Sequence, residues 1–309
     1  MPPSDRDPPP TVSVLMAVHD GERHVRAAVE SILAQTFADF ELVVVDDGSR
    51  DSSRAILDSF GDARIRVVAN EENIGLTRSL NRGLSECRGR YVARQDADDV
   101  SYPERLALQV AFVERRPGVG LVASSYRRID DDDRESGERH VPLEATAIRW
   151  RLLFLNAFTH SSVVVRQEVL RELGGYDETI HYPQDYDLWS RIAERHEVAA
   201  LPELLVGYRR SAESMTTARE ADGGEDEVAA ISRRNVDRML PGMSARLDRD
   251  AACRLVAGAG RPVGARRALA TTRDLLRLQR AFARAYALRP GEALAHRAGV
   301  LAAAARNLR

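Results

Sequence analysis

Over the first 125 residues, short apolar runs alternate with stretches of helical period. Thr11 to Val18 (TVSVLMAV) is almost continuously apolar and β-branched, the pattern of a strand buried on both faces. It ends at His19-Asp20-Gly21, after which Val25, Ala28, Val29, Ile32 and Leu33 fall on one helix face. Phe40 to Val45 (FELVVV) is a second strand. It runs into Asp46-Asp47-Gly48-Ser49, where Ser49 or Asp51 can cap a helix reaching about Ser59. Arg64 to Ala69 is a third strand, followed by a helix carrying Leu76, Leu80, Leu84 and Cys87. Arg90 to Arg94 is a fourth, ending at Gln95-Asp96-Ala97-Asp98-Asp99. Pro103 then opens a helix with Leu106, Val110 and Val113 inward, and Gly120 to Ser125 is a fifth strand.

Beyond Ser125 the rhythm changes. Arg127 to His140 reads as a hydrophilic connection and Glu144 to Ala157 as a helix with Ile148, Leu152 and Leu155 in phase. His160 to Arg166 is a strand, Gln167 to Glu178 a short helix stopped by Gly174 and Gly175, and Gln184 to Arg195 a helix with Leu188 and Ile192 inward. Glu197 to Arg210 predicts two short strands around Pro202. From about Ala221 the chain turns rich in Ala, Arg and Leu, with three or four helices broken near Pro241, Gly260 and Pro290.

Strand–helix alternation of this kind implies a mostly parallel sheet flanked by helices, an α/β architecture with a helical C-terminal extension. Ligands bind such sheets outside the carboxyl ends of the strands. That topology gathers the turns after His19, Asp46 and Gln95 on one edge. Their carboxylates repel: two at 4 Å cost on the order of 4 kcal/mol at an effective dielectric near 20. A hard divalent cation, Mg2+ or Mn2+, would relieve the repulsion and recruit a diphosphate.

Bulk properties narrow the function further. The chain has 309 residues, 44% of them hydrophobic, enough for one large α/β unit with an appendage. Its formal charge is −2, so no global field favours nucleic acid. All 45 basic residues are Arg. Cys87 and Cys253 are the only cysteines and lack metal-ligand spacing, which points to a reducing, cytoplasmic setting. Residues 1–10 are Pro-rich and polar, a disordered lead-in without a signal-peptide core. No apolar run reaches the length of a membrane span, so membrane contact would be peripheral. The basic, partly amphipathic helices after Arg266 are either a cap on the main domain or a surface for anionic lipid or a partner subunit.

Five segments in order resemble the inverting family 2 glycosyltransferases, whose catalytic domain has the type A glycosyltransferase fold. They are SVLMAVHDGERHVRAAVESILAQTFADFELVVVDDGSRDSS, NIGLTRSLNRGL, RYVARQDADDVSYPERL, HSSVVVRQEVLRELGGYDE and QDYDLWSRIAE, spread over residues 11–215. The resemblance implies a catalytic domain over 11–215, with a nucleotide-binding half (11–125) and an acceptor half (126–215), and a helical extension over 216–309. It implies a nucleotide-diphosphate sugar donor, with UDP or dTDP favoured, a glycan or lipid-linked acceptor and inversion at the anomeric carbon. Ala17, Val18 and His19 would line the nucleoside pocket, and Asp47 would accept from the base N3–H. Arg78 falls on the donor side. Asp98 would ligate the metal, Asp96 would hold ribose or a metal-bound water, and Asp99 would cap a helix. Asp185 would be the general base. His160 would meet acceptor or phosphate. Two departures stand out: Gln184 precedes Asp185 where the family often has Glu, and Ser211 stands where a closing-loop His is common. Arg209 or Arg210 would cover the diphosphate in that His's place.

Other signals carry less. Gly118 to Ala123 (GVGLVA) precedes a strand instead of following one, against a dinucleotide fingerprint. Asp130 to Asp133 lacks calcium-loop offsets and reads as a solvated, mobile connection. Two alternatives remain: a sugar nucleotidyltransferase, and a non-catalytic sugar-nucleotide-binding or scaffold protein on the same fold.

Overall fold

The structure is a computed structural model that describes residues 8–210, 225–257 and 263–307. Five strands and four helices make the first half: β1 (Val12–Val18), α1 (Val25–Leu33), β2 (Phe40–Asp46), α2 (Ser53–Asp58), β3 (Ile65–Ala69), α3 (Leu76–Glu86), β4 (Tyr91–Asp96), β5 (Val100–Ser101) and α4 (Arg105–Glu114). Next come β6 (Val119–Ile129), β7 (Glu135–Arg139), α5 (Ala145–Leu152), a 3-10 turn (His160–Ser162), β8 (Val164–Arg166), α6 (Gln167–Leu173), α7 (Gln184–Arg195) and β9 (Glu197–Arg209). The C-terminal part is helical: α8 (Glu225–Met239), α9 (Arg249–Ala257), α10 (Ala265–Ala285) and α11 (Pro290–Asn307).

The strands form one sheet in the order β3-β2-β1-β4-β8-β6-β9-β5, with β7 paired to β6 beyond that path. β3, β2, β1 and β4 are mutually parallel, as the strand–helix alternation predicts. β8 lies antiparallel to both β4 and β6, so it separates two strands that the sequence pattern places side by side. Two further readings change. Glu197 to Arg209 is one strand, parallel to β6, and it absorbs exposed Pro202 through register shifts near Ser124 and Ser125. Within the hydrophilic connection, Arg127 to Ile129 continue β6 and Glu135 to Arg139 return as β7, making a hairpin whose β6 strand is also paired with β9 on its other edge.

Period-two alternation sends the strand side chains to two cores. Val12, Val14 and Met16 pack with Leu42, Val44, α1 and α4 on one face. Leu15, Val43, Val45 and Val92 pack with Leu80, Trp189 and Ile192 on the other. Each fully buried Val or Leu contributes about 1.5–3 kcal/mol, so strands buried on both faces hold the site edge rigid. A third cluster joins Trp150, Leu153 and Phe154 to Leu255, Leu275, Leu278 and Phe282 of the C-terminal helices. Those helices therefore pack on α5. No helix among the described residues is long and apolar enough to cross a membrane.

Candidate active site

The carboxyl ends of β1, β2 and β4 open into a cavity of about 860 Å³. Ala17, Val18, His19, Asp47, Asp96 and Asp98 line it from the sheet, and Asp185 lines it from the first turn of α7. Residues up to 168 positions apart in the chain thus share one chamber.

Asp47 sits in the tight turn after β2. Its Oδ1 accepts from Asn70 Nδ2–H (2.7 Å) and Ile74 N–H (2.9 Å), and its Oδ2 from Gly75 N–H (3.0 Å). The carboxylate pins the loop before α3 and keeps unused lone-pair capacity on Oδ2. Gly48 makes this possible: its φ is +67°, and a Cβ there would stand 2.6 Å from the Glu72 carbonyl carbon. His19 Nδ1–H donates to the Asp47 carbonyl (2.8 Å), tying the ends of β1 and β2 together.

The crowded carboxyls after β4 turn out to have three separate environments. Asp96 is held by Arg94, whose Nη2–H donates to Oδ1, and by the Ser161 hydroxyl (3.3 Å). Burial opposes ionisation of Asp96, but the Arg94 guanidinium holds it below the ordinary carboxylate pKa. Asp99 is fully interior. Its Oδ1 accepts from Arg209 N–H (2.8 Å) and its Oδ2 has no partner. Burial, with Asp98 and Asp96 nearby, raises its pKa well above the usual value, which favours the neutral acid. Asp99 does not cap a helix, because α4 begins after Glu104. Asp98 lines the cavity, and among the described residues no other residue's hydrogen bond reaches its carboxylate; burial and Asp96 push its pKa up to about 6.

Beneath them lie Arg94 and Arg105, both interior. Arg94 also donates to Leu15 O (2.9 Å) and His160 Nε2 (3.1 Å). Arg105 donates to Ser101 Oγ (2.7 Å), Gln95 Oε1 (3.0 Å) and Arg94 O (2.7 Å). Sequence reasoning passed over both. Their signal was a charged side chain inside a buried strand, Arg94, and another at an inward helix position, Arg105.

A divalent ion fits this edge in one way. Among the described residues no group of three or more His, Cys, Asp or Glu side chains could hold a metal. The Asp98 carboxylate beside that of Asp96 would suit an ion that takes its remaining ligands from phosphate oxygens and water.

Asp185 follows Pro183, the residue at the helix cap position, and therefore does not itself cap α7. Its Oδ2 accepts from Asn156 Nδ2–H (2.7 Å) and its Oδ1 from Tyr186 N–H (2.7 Å). Burial pushes its pKa up to about 6. Asp187, one turn face away and fully buried, is gripped by Arg191 Nε (2.7 Å) and by Arg234 of α8. Val228 of α8 reaches the cavity itself.

Three expected contacts are displaced. Arg78 is not among the cavity-lining residues; its exposed guanidinium lies 3.7 Å from Glu178. His160 lines the cavity, but its Nε2 meets Tyr176 Oη (2.8 Å) and Arg94, and burial and Arg94 lower its pKa to about 3. It is a neutral buttress under Asp96 and not a phosphate-binding cation. Arg209 spends its donors on Asp98 O (2.7 Å), Asp130 O and the Asp133 carboxylate, so it braces the site instead of covering a diphosphate. Arg210 lines the cavity, and Ser211 lies outside the described residues. The Asp130–Asp133 turn is docked: Asp131 stands 3.3 Å from His24 and 3.4 Å from Arg23.

The profile of Glycosyl transferase family 2 matches residues 13–174, just over half of the chain and all of the carboxylate-bearing strand ends. The chain belongs to this family. It is a glycosyltransferase, and the nucleotidyltransferase alternative falls away. The amylovoran biosynthesis glycosyltransferase AmsE of Erwinia amylovora is 32% identical over 212 residues, 67% of this chain and 79% of AmsE. S. aureus TarS 1-349, solved with UDP-GlcNAc, superposes with a TM-score of 0.62 at 16% identity, covering 96% of this chain and 89% of TarS 1-349. The mannosyltransferase PcManGT from Pyrobaculum calidifontis, solved with GDP-Man and Mn2+, gives 0.57 at 19% identity, covering 99% and 89%. This chain therefore has the type A glycosyltransferase fold, a mixed sheet flanked by helices with a helical C-terminal part.

Proposed function

We propose that this transferase moves a sugar from a nucleotide-diphosphate donor to a hydroxyl of a glycan or lipid-linked acceptor with inversion, in the synthesis of a cell-surface polysaccharide or glycoconjugate. The observation that carries the reading is the convergence of Asp47, Asp98 and Asp185 on one cavity. The donor lies along the ends of β1, β2 and β4, with its base beside Asp47 and its diphosphate beside Asp98. A uracil or thymine N3–H matches the spare acceptor capacity of Asp47 Oδ2. Asp98 and Asp96 would hold Mg2+ or Mn2+, which supplies charge neutralisation to the departing diphosphate. Asp185, oriented by Asn156, takes the proton from the acceptor hydroxyl, whose oxygen attacks the anomeric carbon from the face opposite the leaving phosphate.

The presence of UDP-GlcNAc in TarS, GDP-Man and Mn2+ in PcManGT, and the name of AmsE support this class of donor, metal and product. Residues 11–215 are the catalytic unit in this reading, with α8 serving both it and the extension. A cytoplasmic location with peripheral membrane contact completes it. Residues 263–307 carry nine Arg against Asp274 and Glu292, a formal +7 in a chain of total −2, with Leu269, Leu294 and Leu301 exposed.

A thermal-shift panel of UDP-, dTDP- and GDP-sugars with and without Mn2+ tests the donor. The expected ligand stabilises by about 2.7 kcal/mol at a hundred times its Kd, and only with metal. Stabilisation by no nucleotide sugar would overturn the reading.

A further inference from the structure

Most cations around the cavity are already engaged. Arg94 and Arg209 hold Asp96 and Asp133, and Arg23 faces Asp131. Arg128 and Arg151 differ. Both line the cavity, and among the described residues neither guanidinium has a hydrogen bond or an ion pair. The Nε of each is buried without a partner. Arg139, beside them, donates to the neighbouring Glu138 carbonyl (3.0 Å) and, among the described residues, to no other group.

The hairpin sets these groups on one wall. Tyr126 and Arg128 alternate along β6 and share a face; Tyr126 pairs in register with Arg139, and Arg128 with Tyr208 of β9. The Tyr126 and Tyr208 rings meet edge to face at 5.5 Å. Arg151 enters from α5, and burial lowers its pKa with no carboxylate to offset it. Leaving a guanidinium half-buried without an anion is unfavourable. That cost is recovered when a ligand brings the anion.

Arg128 and Arg139 lie on the β6–β7 hairpin, and not on β1, β2 or β4, whose ends lead into the turns of His19, Asp47 and Asp98. We infer that Arg128, Arg139 and Arg151, with the Tyr126–Tyr208 pair, form an acceptor subsite for a glycan that bears a phosphate or carboxylate. The rings supply apolar faces to a sugar, and the guanidinium forks pair with its oxyanion. This inference rests on the transferase reading above and assigns the charge of its acceptor.

The test is calorimetry on the full chain, with UDP and Mn2+ present to fill the donor side. Glucose, glucuronate, glucose 6-phosphate and farnesyl diphosphoglucose are titrated in turn. The anionic probes are expected to bind about tenfold or more tighter than glucose, from charge-assisted hydrogen bonds. Arg151→Gln and Arg128→Gln should each erase most of that gain, Arg151→Lys should restore part of it, and UDP affinity should hold. Both possible sources of the anion support the subsite: tighter farnesyl diphosphoglucose assigns it to a lipid carrier, equal glucose 6-phosphate to the glycan. Equal binding of glucose and the anions overturns the inference. So does an Arg151→Gln variant that weakens UDP as much as glucuronate, which would hand the wall to the donor. Failure of UDP itself to bind the wild type would instead strike the donor reading.

Discussion

The two walls of the cavity are built on opposite plans. On the sheet side, Asp98 and Asp99 Oδ2 aside, the polar groups are satisfied internally: Asp47 holds three donors, Asp96 has Arg94 and Ser161, and His160 is locked between Arg94 and Tyr176. On the hairpin side Arg128 and Arg151 have no partner among the described residues. The first wall is preorganised at a cost already met within the fold. The second is completed only by what it binds. A rigid wall suits chemistry whose geometry is fixed, and an unsatisfied one suits selection among acceptors.

Substitutions can break this contrast. Asp185→Asn should leave nucleotide affinity intact and lower turnover by about 10²–10⁴-fold, the usual contribution of a general base. Transfer assays beside UDP titrations check it, and near-normal turnover removes Asp185 from that role. Arg94→Leu strips the partner from Asp96 and should cost roughly 3–5 kcal/mol of stability, read by denaturant unfolding; on the hairpin wall Arg151→Leu should cost little or stabilise. Turnover should also depend on pH with a defined sign. The base works deprotonated, and burial pushes the Asp185 pKa up to about 6. Rates should therefore fall as pH drops through that value, by about tenfold per unit at the limit, and Asp185→Asn should flatten that limb. Gly48→Ala strains a positive-φ turn pressed on Glu72 and should cost about 1–3 kcal/mol, with weaker nucleotide binding as its signature.

The same contrast explains what could be read from the chain. Strands β1 to β4 and the carboxylates after them were legible because each strand passes directly into its acidic turn, and parallel topology alone then gathers those turns. Arg94 and Arg105 were not, since their partners Leu15, Gln95 and Val163 are set by tertiary packing. β8 was legible as a strand but not in its direction, which depends on the long excursion through β6, β7 and α5. Arg209 and His160 were legible as residues near the site, yet their roles hinge on which hydrogen bonds they make, and no spacing encodes that. The Asp130–Asp133 run looked like solvated chain because its partners, His24, Arg23 and Arg209, are remote in sequence.

Asp187 carries a last consequence. This carboxylate, two residues beyond the proposed base, is shared between a guanidinium of its own helix and one from α8. A chimera that joined residues 11–215 to a foreign tail would leave half of that clasp empty on the helix that carries Asp185. The catalytic half is therefore not portable: any tail grafted onto it must bring its own cation to the same spot.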